Sequence, residues 1–574
     1  MGNPLYHLQS ESASHSSMKI LTAAEMRAAD AATTEEHGIA SMTLMENAGA
    51  AVARFVLQEI PEDEPGEVRI VALCGKGNNG GDGFVAARIL AEAGCDVAVL
   101  LLGRVAEVKG DACTALQRLS TAGVVPVEAA EEAALAKPHV TELLDGADLF
   151  LDAVLGTGFR PPMRGVSVAL GDWLAAHPET PVVSVDLPSG WDADSRAMRH
   201  AWGQQQGAYR SDAVVTFTAP KLAHVFGFLT RGPMVVAEIG SPDAAVRSAT
   251  NLYWAGSAKR IAETPREPDS NKGKFGHVAI ITGARGRAGA AAMASYAALR
   301  AGAGLVTAAV PESILETVAA IAPELMTEPL QETAKGGIAL RNLDGDAGSA
   351  LLEKRTVVAI GPGLGQEPEV QQFALRLIER CGAAEKPTPM VLDADCLNAI
   401  AEHKYKLDGR GRTMVLTPHP GEMARLVGKT IPEVEADREG IARAYATEHH
   451  ITLVLKGWRT LIAHPDGRIA INTTGNPGLA KGGSGDILTG ITAAMLAQYG
   501  GKNGEHVAEA VEAAVYLHGL GADFAVAERD EHTLLATEVC GHLDQAFRFH
   551  ATQHDEITWL QGLPGMLEYR MLKP

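Results

Sequence analysis

The sequence predicts an α/β protein of two unlike domains, each a mainly parallel sheet with helices on both faces. Three observations lead to this prediction. The chain has 574 residues, whereas single hydrophobic cores stop growing at about 250 to 300 residues. Short runs rich in Val, Ile and Leu alternate with helical stretches in both halves of the chain. Between residues 241 and 275 a polar segment broken by Pro and Gly interrupts the alternation.

The first half contains two predicted helices followed by the first series of strands. Residues 1–17 are polar and aperiodic, which indicates a disordered extension or a tag, so the first domain is predicted to span residues 18–247. Thr22 and Glu25 form a capping box before Ala-rich helical sequence that is interrupted near Gly38. The predicted strands that follow are VRIVALC, DVAVLLL, DLFLDAVL, PVVSVDL, DAVVTF and MVVAEI.

A second series of strands defines the second predicted domain, residues 248–574, with the boundary near residue 250. No period of 20 to 50 residues repeats, so two different domains are favoured over a solenoid. The strands of this series are HVAIITG, GLVTAAV, VVAIGPG, MVLDADC, MVLTPHP and TLVLKG, and the end of the chain is rich in helical sequence.

The composition is that of an ordinary globular protein and narrows the range of partners. Hydrophobic residues make up 46% and charged residues 21%. The formal net charge of −20 disfavours nucleic acid and anionic membranes. No apolar run reaches the ~18 residues of a membrane helix and no secretory signal is evident, so we expect a cytoplasmic protein. The six cysteines lack metal-ligand spacing and are expected to be reduced thiols.

A glycine-rich segment in the first half indicates an anion site. VALCGKGNNGGDGFVAARIL is typical of a strand, a tight turn and a helix, whose first N–H groups can hold phosphate. Such a turn also needs glycine for packing alone, so this segment does not decide the function. Polar turns also follow three other strands, in LDAVLGTGFRPP, VDLPSGWDAD and FTAPKL. Because ligands bind at the carboxyl ends of parallel strands, the four segments predict one site.

Together these four segments resemble the NAD(P)H-hydrate epimerase family over about residues 20–245, which implies a Rossmann-like three-layer domain. The resemblance implies that Asp186 and Lys221 are catalytic and that Asn79, Asp152 and Ser189 hold K⁺, a hard cation suited to oxygen ligands. From the residues alone, Asp186 could instead start a turn and Asp152 could cap one. The residues implied to contact the hydrated dinucleotide are Asn78, Asn79, Gly80, Gly81, Asp82, Gly156, Thr157, Gly158, Phe159, Arg160, Pro161, Pro162 and Asp186.

A second glycine-rich segment, NTTGNPGLAKGGSGDILTGITAAML, indicates another phosphate site at a helix start. It lacks the spacing of a Walker loop, and protein-kinase signatures are not found. Asp486 falls at the beginning of the same helix, where a carboxylate beside a phosphate is unfavourable unless it accepts a proton. We therefore predict that Asp486 is a general base for a hydroxyl.

This segment resembles the ribokinase-like kinases. With GPGLG (361–365), DAD (393–395), TPHPGE (417–422) and VLKG (454–457), it is similar to the ADP-dependent NAD(P)H-hydrate dehydratases over about residues 255–545. The resemblance implies hydrate contacts from Ala288, Gly363, His419 and Asp486. It implies an ADP site formed by Lys456, Gly457, Trp458, Arg459, Thr460 and Gly485.

Some residues of the second half have other interpretations. His419 could merely hold a turn, and His518 is expected to be a helical residue without a catalytic role. Phe275 and the Arg-bearing GARGRAG loop depart from the family pattern, so the approach of the substrate there stays open.

The sequence therefore predicts a bifunctional isomerase and lyase. The first domain would equilibrate the R and S hydrates of NADH and NADPH, and the second would dehydrate the S form with ADP, yielding NAD(P)H, AMP and phosphate. K⁺ is the expected cofactor, ADP the co-substrate and Mg²⁺ a further candidate cation. We expect small-molecule partners and a homo-oligomer. The alternatives are a ribokinase-like kinase of a small alcohol with a regulatory nucleotide-binding N-domain, and an interaction scaffold.

Overall fold

The computed structural model describes residues 17–60, 65–197, 208–383, 386–501, 504–553 and 556–565. The predicted extension at residues 1–17, apart from Ser17, lies outside the described residues. Two large sheets, each covered by helices on both faces, form the described chain. This confirms the predicted fold class of an α/β protein with two mainly parallel sheets, each between layers of helices.

Seven strands of the first half form a parallel sheet in the order β7-β6-β5-β4-β1-β2-β3. The order reverses beside β1, which places a crevice at the carboxyl ends of β1 and β4. The six predicted strands are present and only β3 was missed. The strands are β1 Arg69–Cys74, β2 Asp96–Leu101, β3 Val127–Glu128, β4 Leu149–Ala153, β5 Val182–Val185, β6 Ala213–Phe217 and β7 Met234–Ala237.

Helices cover both faces of this sheet, as two apolar clusters show. The predicted capping box is confirmed: the Glu25 N–H donates to Thr22 Oγ1 at 3.1 Å, and the Thr22 N–H donates to Glu25 Oε2 at 2.8 Å. The helices are α1 Ala23–Glu35, α2 Ser41–Glu59, α3 Asn78–Glu92, α4 Gly110–Thr121, α5 Pro138–Asp145, α6 Val166–Ala176 and α7 Leu222–Phe226.

The second sheet has the strand order β11-β10-β9-β12-β13-β14-β15-β16-β17-β8. All neighbouring strands are parallel except the β15–β16 and β16–β17 pairs. The six predicted strands are found, whereas β8, β11, β16 and β17 were missed. The strands are β8 Leu252–Trp254, β9 His277–Ile281, β10 Leu305–Pro311, β11 Met326–Leu330, β12 Val357–Ile360, β13 Met390–Leu392, β14 Met414–Leu416, β15 Thr452–Leu455, β16 Leu461–Ala463 and β17 Ile469–Ile471.

Twelve helices of the second half are described. They are α8 Ala288–Arg300, α9 Leu315–Ala319, α10 Gly345–Leu352, α11 Pro368–Ala383, α12 Ala394–Glu402, α13 Pro420–Val427, α14 Ile431–Ala436, α15 Arg438–His449, α16 Ser484–Tyr499, α17 Val507–Glu528, α18 Ala536–Gly541 and α19 Leu543–Arg548. Short 3₁₀ helices occupy Pro65–Glu67, Val105–Glu107, Glu132–Ala136, Ala255–Ala262, Lys272–Phe275, Glu312–Ile314, Leu340–Leu343 and Pro477–Leu479.

The last strand, β18 Ile557–Gln561, departs from the predicted division of the chain. It belongs by sequence to the second predicted domain, residues 248–574, yet it pairs antiparallel with β7 of the first sheet. An open sheet edge accepts any strand that can reach it, so local sequence does not reveal this pairing. The beginning of the chain also joins the halves, because Ile20 N–H donates to the Leu252 carbonyl at 3.0 Å. A single cut near residue 247 would therefore leave each half incomplete.

Two further expectations concern membranes and thiols. Over the described ranges, no helix is both long and apolar enough to cross a bilayer. All six cysteines are free thiols, and all but Cys113 are buried, which confirms the prediction from their spacing.

Candidate active sites

A cavity of about 650 Å³ opens at the carboxyl ends of the first sheet. The four polar segments identified in the sequence converge on this cavity, as predicted. The predicted residues that line it are Asn78, Asn79, Asp82, Gly156, Thr157, Gly158, Phe159, Asp186 and Lys221.

The glycine-rich turn serves both packing and ligand positioning. The 15-residue helix α3 begins at Asn78, so its N-terminus and first N–H groups lie at the cavity. A Cβ at Gly80 would overlap the carbonyl oxygen of Gly75, and one at Gly81 would lie 2.6 Å from Met45 Cε. Gly80 and Gly81 are buried behind the turn and hold it close to the sheet.

Asp186 and Lys221 form a buried ion pair at the base of the cavity. Lys221 Nζ lies 2.8 Å from Asp186 Oδ1, and the two residues are 2% and 7% exposed. Thr157 donates its N–H and hydroxyl to Asp186 Oδ2 at 2.7 and 2.6 Å. Burial opposes ionisation, but the charge of Lys221 and these hydrogen bonds outweigh it and hold the pKa of Asp186 well below its usual range. Asp186 is therefore a permanent carboxylate.

His224, which the sequence analysis missed, fixes the backbone beneath this pair. The Lys221 N–H donates to His224 Nδ1 at 2.9 Å, so Nε2 carries the proton and donates to the Asp186 carbonyl at 2.7 Å. Burial, with the charge of Lys221 adding to it, lowers the pKa of His224 to about 4 and keeps the ring neutral. This support holds Asp186 in the left-handed region, at φ 68°. The sequence feature that could have revealed this role is a histidine three residues after Lys221.

The predicted K⁺ ligands lie on neighbouring strand ends. Ser189 Oγ donates to Asp152 Oδ1 at 2.5 Å, and both residues are fully buried. A Cβ on Gly156 would lie 2.7 Å from Asn79 Oδ1, so only glycine leaves that amide room. Asn79 Nδ2 is buried and lacks a hydrogen-bond partner among the residues that the structure describes.

This donor set fits a hard monovalent cation. In the described part of the chain, no three His, Cys, Asp or Glu side chains converge as metal ligands. A cation here would accordingly take amide and hydroxyl oxygens together with the single carboxylate of Asp152.

The last part of the predicted hydrate-binding loop faces a neighbouring cavity of about 350 Å³. Arg160, Pro161 and Pro162 line this second space. The Arg160 guanidinium lies 3.4 Å from Asp192 and 3.5 Å from Asp194, and its side chain is half exposed. The loop therefore bridges the two cavities.

Helix α1 forms a wall of the first cavity that the sequence analysis did not anticipate. Met26, Arg27, Asp30 and Thr34 line the cavity from one face of this helix. In the sequence, only their helical spacing could have revealed these residues. A helix face with one acidic and one basic residue is, however, typical of a solvent-exposed surface.

In the second half, Asp486 lies in the first turn of α16, directly after the GGSG segment. Nearby, Lys456 Nζ lies 2.8 Å from Asp393 Oδ1, and Thr489 Oγ1 donates to Asp393 Oδ2 at 2.7 Å. Lys456 Nζ is also 3.9 Å from a carboxylate oxygen of Glu422. Asp393 and Glu422 belong to the DAD and TPHPGE segments but had not been singled out as site residues.

Burial and, after it, the neighbouring charges set the proton affinity of Asp486. Burial, followed by the charge of Asp393, raises the pKa of Asp486 to about 6, while Lys456 opposes the rise. At neutral pH the carboxyl is mostly ionised yet binds a proton more readily than an exposed aspartate. That combination suits a general base.

The predicted hydrate contacts of the second half lie in the GPGLG turn, at the beginning of α8 and at the beginning of α13. A Cβ at Gly363, whose φ is 65°, would lie 2.9 Å from Ala290 Cβ, so the GPGLG turn rests on the beginning of α8, where Ala288 lies. His419 caps α13, because its Nδ1 accepts the Gly421 N–H at 3.0 Å. His419 therefore holds a turn, as one interpretation of the sequence proposed. About half of its side chain is still exposed.

Two predicted ADP-site residues turn their side chains to the first domain. Trp458 Nε1 donates to the Phe226 carbonyl at 3.0 Å, and Arg459 Nη2 donates to Gln561 Oε1 at 2.6 Å. Contacts of these two residues with ADP would therefore come from their backbone. Gly457 and Thr460 complete this loop, with Thr460 Oγ1 donating to the Gly457 carbonyl at 3.1 Å. Gly485 and Lys456 remain beside Asp393.

Three other residues of the second half, whose roles the sequence left open, are placed as follows. His518 is 8% exposed and packs near Ser484, and burial lowers its pKa to about 4, which agrees with a helical residue that stays neutral. Phe275 lies under the Arg266 guanidinium, 3.7 Å from the ring centroid. Arg287 of the GARGRAG loop, which the sequence left undecided, reaches Asp395 at 3.4 Å, beside Gly365.

Comparisons with known proteins find relatives of both halves of the chain. Residues 278–544 match the family described as NAD(P)H-hydrate dehydratase, and residues 41–223 match the family described as YjeF-related protein N-terminus. A Bacillus subtilis ADP/ATP-dependent NAD(P)H-hydrate dehydratase, solved after co-crystallisation with ATP and Mg²⁺, is 32% identical. It covers 52% of this chain and 99% of its own, with a TM-score of 0.44.

Full-length relatives carry both parts. The Moorella thermoacetica protein named bifunctional NAD(P)H-hydrate repair enzyme Nnr is 40% identical over 540 residues, covering 92% of this chain and 97% of its own. The Escherichia coli K12 protein of the same name is 33% identical over 528 residues, covering 90% and 92%. Since such relatives align over nearly the whole of both chains, this chain belongs to the family of bifunctional NAD(P)H-hydrate repair enzymes.

Proposed function

We propose that this chain repairs hydrated NADH and NADPH in two steps, epimerisation at the first site and ADP-dependent dehydration at the second. The observation that carries the proposal is the contrast between the buried carboxylate of Asp186 and the partly buried carboxylate of Asp486. Asp186 is held ionised by Lys221, whereas Asp486 lies in the first turn of a helix with its pKa raised to about 6. One site is built to stabilise charge and the other to accept a proton.

In the dehydration, Asp486 takes the proton of the C6 hydroxyl of the S hydrate. The oxygen then attacks the terminal phosphoryl group of ADP, and AMP leaves. Electrons of the ring nitrogen expel the phosphate from C6, and loss of a proton from C5 restores the reduced nicotinamide. We assign the positive charge beside the phosphates to Lys456 and the ADP cradle to residues 456–460 with Gly485. Mg²⁺ is a candidate companion of ADP.

In the epimerisation, Asp186 and Lys221 face the ring of the bound hydrate, and the loops at residues 78–82 and 156–162 hold the dinucleotide. Asn79, Asp152 and Ser189 would hold K⁺, which supplies a fixed positive charge at the strand ends when bound. Support for this assignment comes from Asn79 Oδ1, beside which Gly156 leaves room, and from the buried oxygen atoms of Asp152 and Ser189.

We also propose that the boundary between the two activities lies near residue 247, with strand β18 returning to complete the first domain. We expect the chain to work in the cytoplasm as a homo-oligomer on small-molecule substrates.

A direct assay of repair tests this function. Purified protein is mixed with the S hydrate of NADH and ADP, and the absorbance of reduced nicotinamide is followed, with ATP in a parallel sample. We expect NADH, AMP and phosphate in equal amounts when ADP is supplied. The rival interpretation, a ribokinase-like kinase of a small alcohol, predicts a stable phosphoester instead and no gain in absorbance.

The K⁺ assignment is tested with Asp152→Asn, which keeps the size of the side chain but removes its charge. Epimerisation by the wild type should rise as K⁺ replaces a large organic cation, and the variant should lose most of this response. ADP-dependent dehydration by the same variant serves as the control for folding. Equal epimerisation rates of the wild type with and without K⁺ would refute the assignment.

A further inference from the structure

The Asp186–Lys221 pair lacks a proton that it can give. Asp186 is held as a carboxylate. The Lys221 ammonium uses its three N–H donors on Asp186 Oδ1 at 2.8 Å, Thr216 Oγ1 at 2.8 Å and the Phe217 carbonyl at 3.3 Å. Lys221 is thus a source of charge rather than of protons. Loss of a hydroxyl from C6 nevertheless requires a proton, because hydroxide is a poor leaving group.

Asp30 is a carboxyl of this cavity that is placed to supply it. It lies on α1 and lines the cavity together with Asp186 and Lys221. Its carboxyl makes neither a hydrogen bond nor an ion pair with the described part of the chain, unlike Asp186. The negative charge of Asp30 contributes to raising the pKa of Asp82, which faces the same cavity from α3. A half-buried carboxyl that is free of protein partners and open to the ligand can exchange a proton with the ligand.

We infer that Asp30 is a further catalytic residue of the epimerase site, whose carboxyl protonates the departing C6 hydroxyl of the hydrate. The inference rests on the proposed epimerase function. The C6–O bond breaks with its electron pair on oxygen, the Asp30 proton completes a water molecule, and the lone pair of the ring nitrogen forms a double bond to C6. C6 is then planar and water adds on its other face. This water releases its proton to solvent, from which the Asp30 carboxyl, open to the cavity, takes up a proton again. Nothing is oxidised or reduced.

The electrostatics of the cavity support this role. Burial, with the charge of Asp186 adding to it and that of Lys221 opposing it, raises the pKa of Asp30 to about 6. At pH 7 roughly one Asp30 carboxyl in ten then carries a proton, so the group can both give and receive one. The charged residues that face this cavity are Arg27, Lys76, Asp82, Asp111, Asp186 and Lys221.

The test uses Asp30→Asn in the full chain, which keeps the shape of the side chain and removes its proton exchange. Conversion of pure R hydrate to NADH is followed with ADP and an excess of the Asp186→Asn chain, which is expected to supply dehydratase activity without epimerase activity, so that epimerisation by the tested variant limits the rate. We expect kcat for epimerisation to fall about 100-fold or more, with a smaller change in KM. Glu35→Gln, an exposed acid on the same helix, is the matched control, and dehydration of the S hydrate by each variant checks folding.

The pH profile separates catalysis from a merely structural role. Wild-type epimerisation should decline as pH rises past about 6, because the protonated carboxyl is consumed, and Asp30→Asn should lose this decline. A rate within tenfold of the wild type, or a decline that persists in Asp30→Asn but vanishes in Asp82→Asn, would overturn the assignment to Asp30. A wild-type chain that fails to interconvert the epimers would refute the proposed function itself.

Discussion

Asp486 has a proton affinity that its neighbours set, and this makes its role testable at the level of one residue. Asp486→Asn should lower ADP-dependent recovery of NADH by about 100- to 10,000-fold, the contribution of a general base. Wild-type activity should fall as pH drops through about 6, because the base must be ionised. Epimerisation by the variant is the control for folding. A loss below tenfold would remove Asp486 from this role.

The buried pair of the first site makes a prediction about stability. Lys221→Met keeps an unbranched side chain but leaves the Asp186 carboxylate buried without its cation, which costs about 3 to 5 kcal/mol. We expect a clearly lower midpoint of thermal unfolding for the first domain. The double variant Asp186→Asn with Lys221→Met should recover much of the loss, because the uncompensated charge is gone. Equal stability of the single and double variants would contradict the ion-pair account.

Sequence reasoning found the residues of this site more readily than their chemical states. Asp186 and Lys221 were predicted because their segments resemble those of a known family, and Asp486 was predicted from its position at a helix start after a glycine-rich segment. Two of the three N–H donors of Lys221 are used by Thr216 Oγ1 and the Phe217 carbonyl. These acceptors reach Lys221 only in the folded sheet. Asp30 escaped notice because its role depends on the face that α1 turns to the cavity.

At the scale of elements, apolar runs predicted the central strands and missed the edges. The apolar runs of β1 and β9, for example, are long and buried, so their composition indicates strands of a parallel sheet. Strands β8, β16 and β17 have three residues each, and their pairing depends on segments far away in sequence. Strand β18 is the clearest case, because its partner β7 lies in the other half of the chain.

This pairing predicts that a residue near the C-terminus stabilises the first domain. Trp559 of β18 is 2% exposed and its ring centroid lies 6.1 Å from that of Phe55. Trp559→Ala should destabilise the first domain by about 3 to 5 kcal/mol. We expect epimerase activity to be lost at a lower temperature than dehydratase activity when both are measured after heating. Earlier loss of the dehydratase would contradict the placement of β18.

At the scale of the whole molecule, the two halves are joined but keep separate sites. One apolar cluster combines Val214 and Met234 of the first sheet with Val278 and Ile280 of the second. Trp458 and Phe228 also pack edge to face, with ring centroids 5.6 Å apart. These contacts hold the predicted ADP loop against the segment that follows α7. Each site nevertheless has its own glycine-rich turn, helix N-terminus and carboxylate, so we expect the chemistry of one to proceed without the other.

The plateau of NADH recovered from a mixture of R and S hydrates tests the central claim most directly. With ADP, the wild-type chain should convert the whole mixture. Asp186→Asn should dehydrate the S epimer at a near-normal rate and then stall at the S fraction, apart from slow spontaneous epimerisation, while Asp486→Asn should recover almost no NADH. If Asp186→Asn slowed dehydration of the S epimer as severely as Asp486→Asn does, the two sites would be coupled or shared, and the account of two separate reactions on one chain would be wrong.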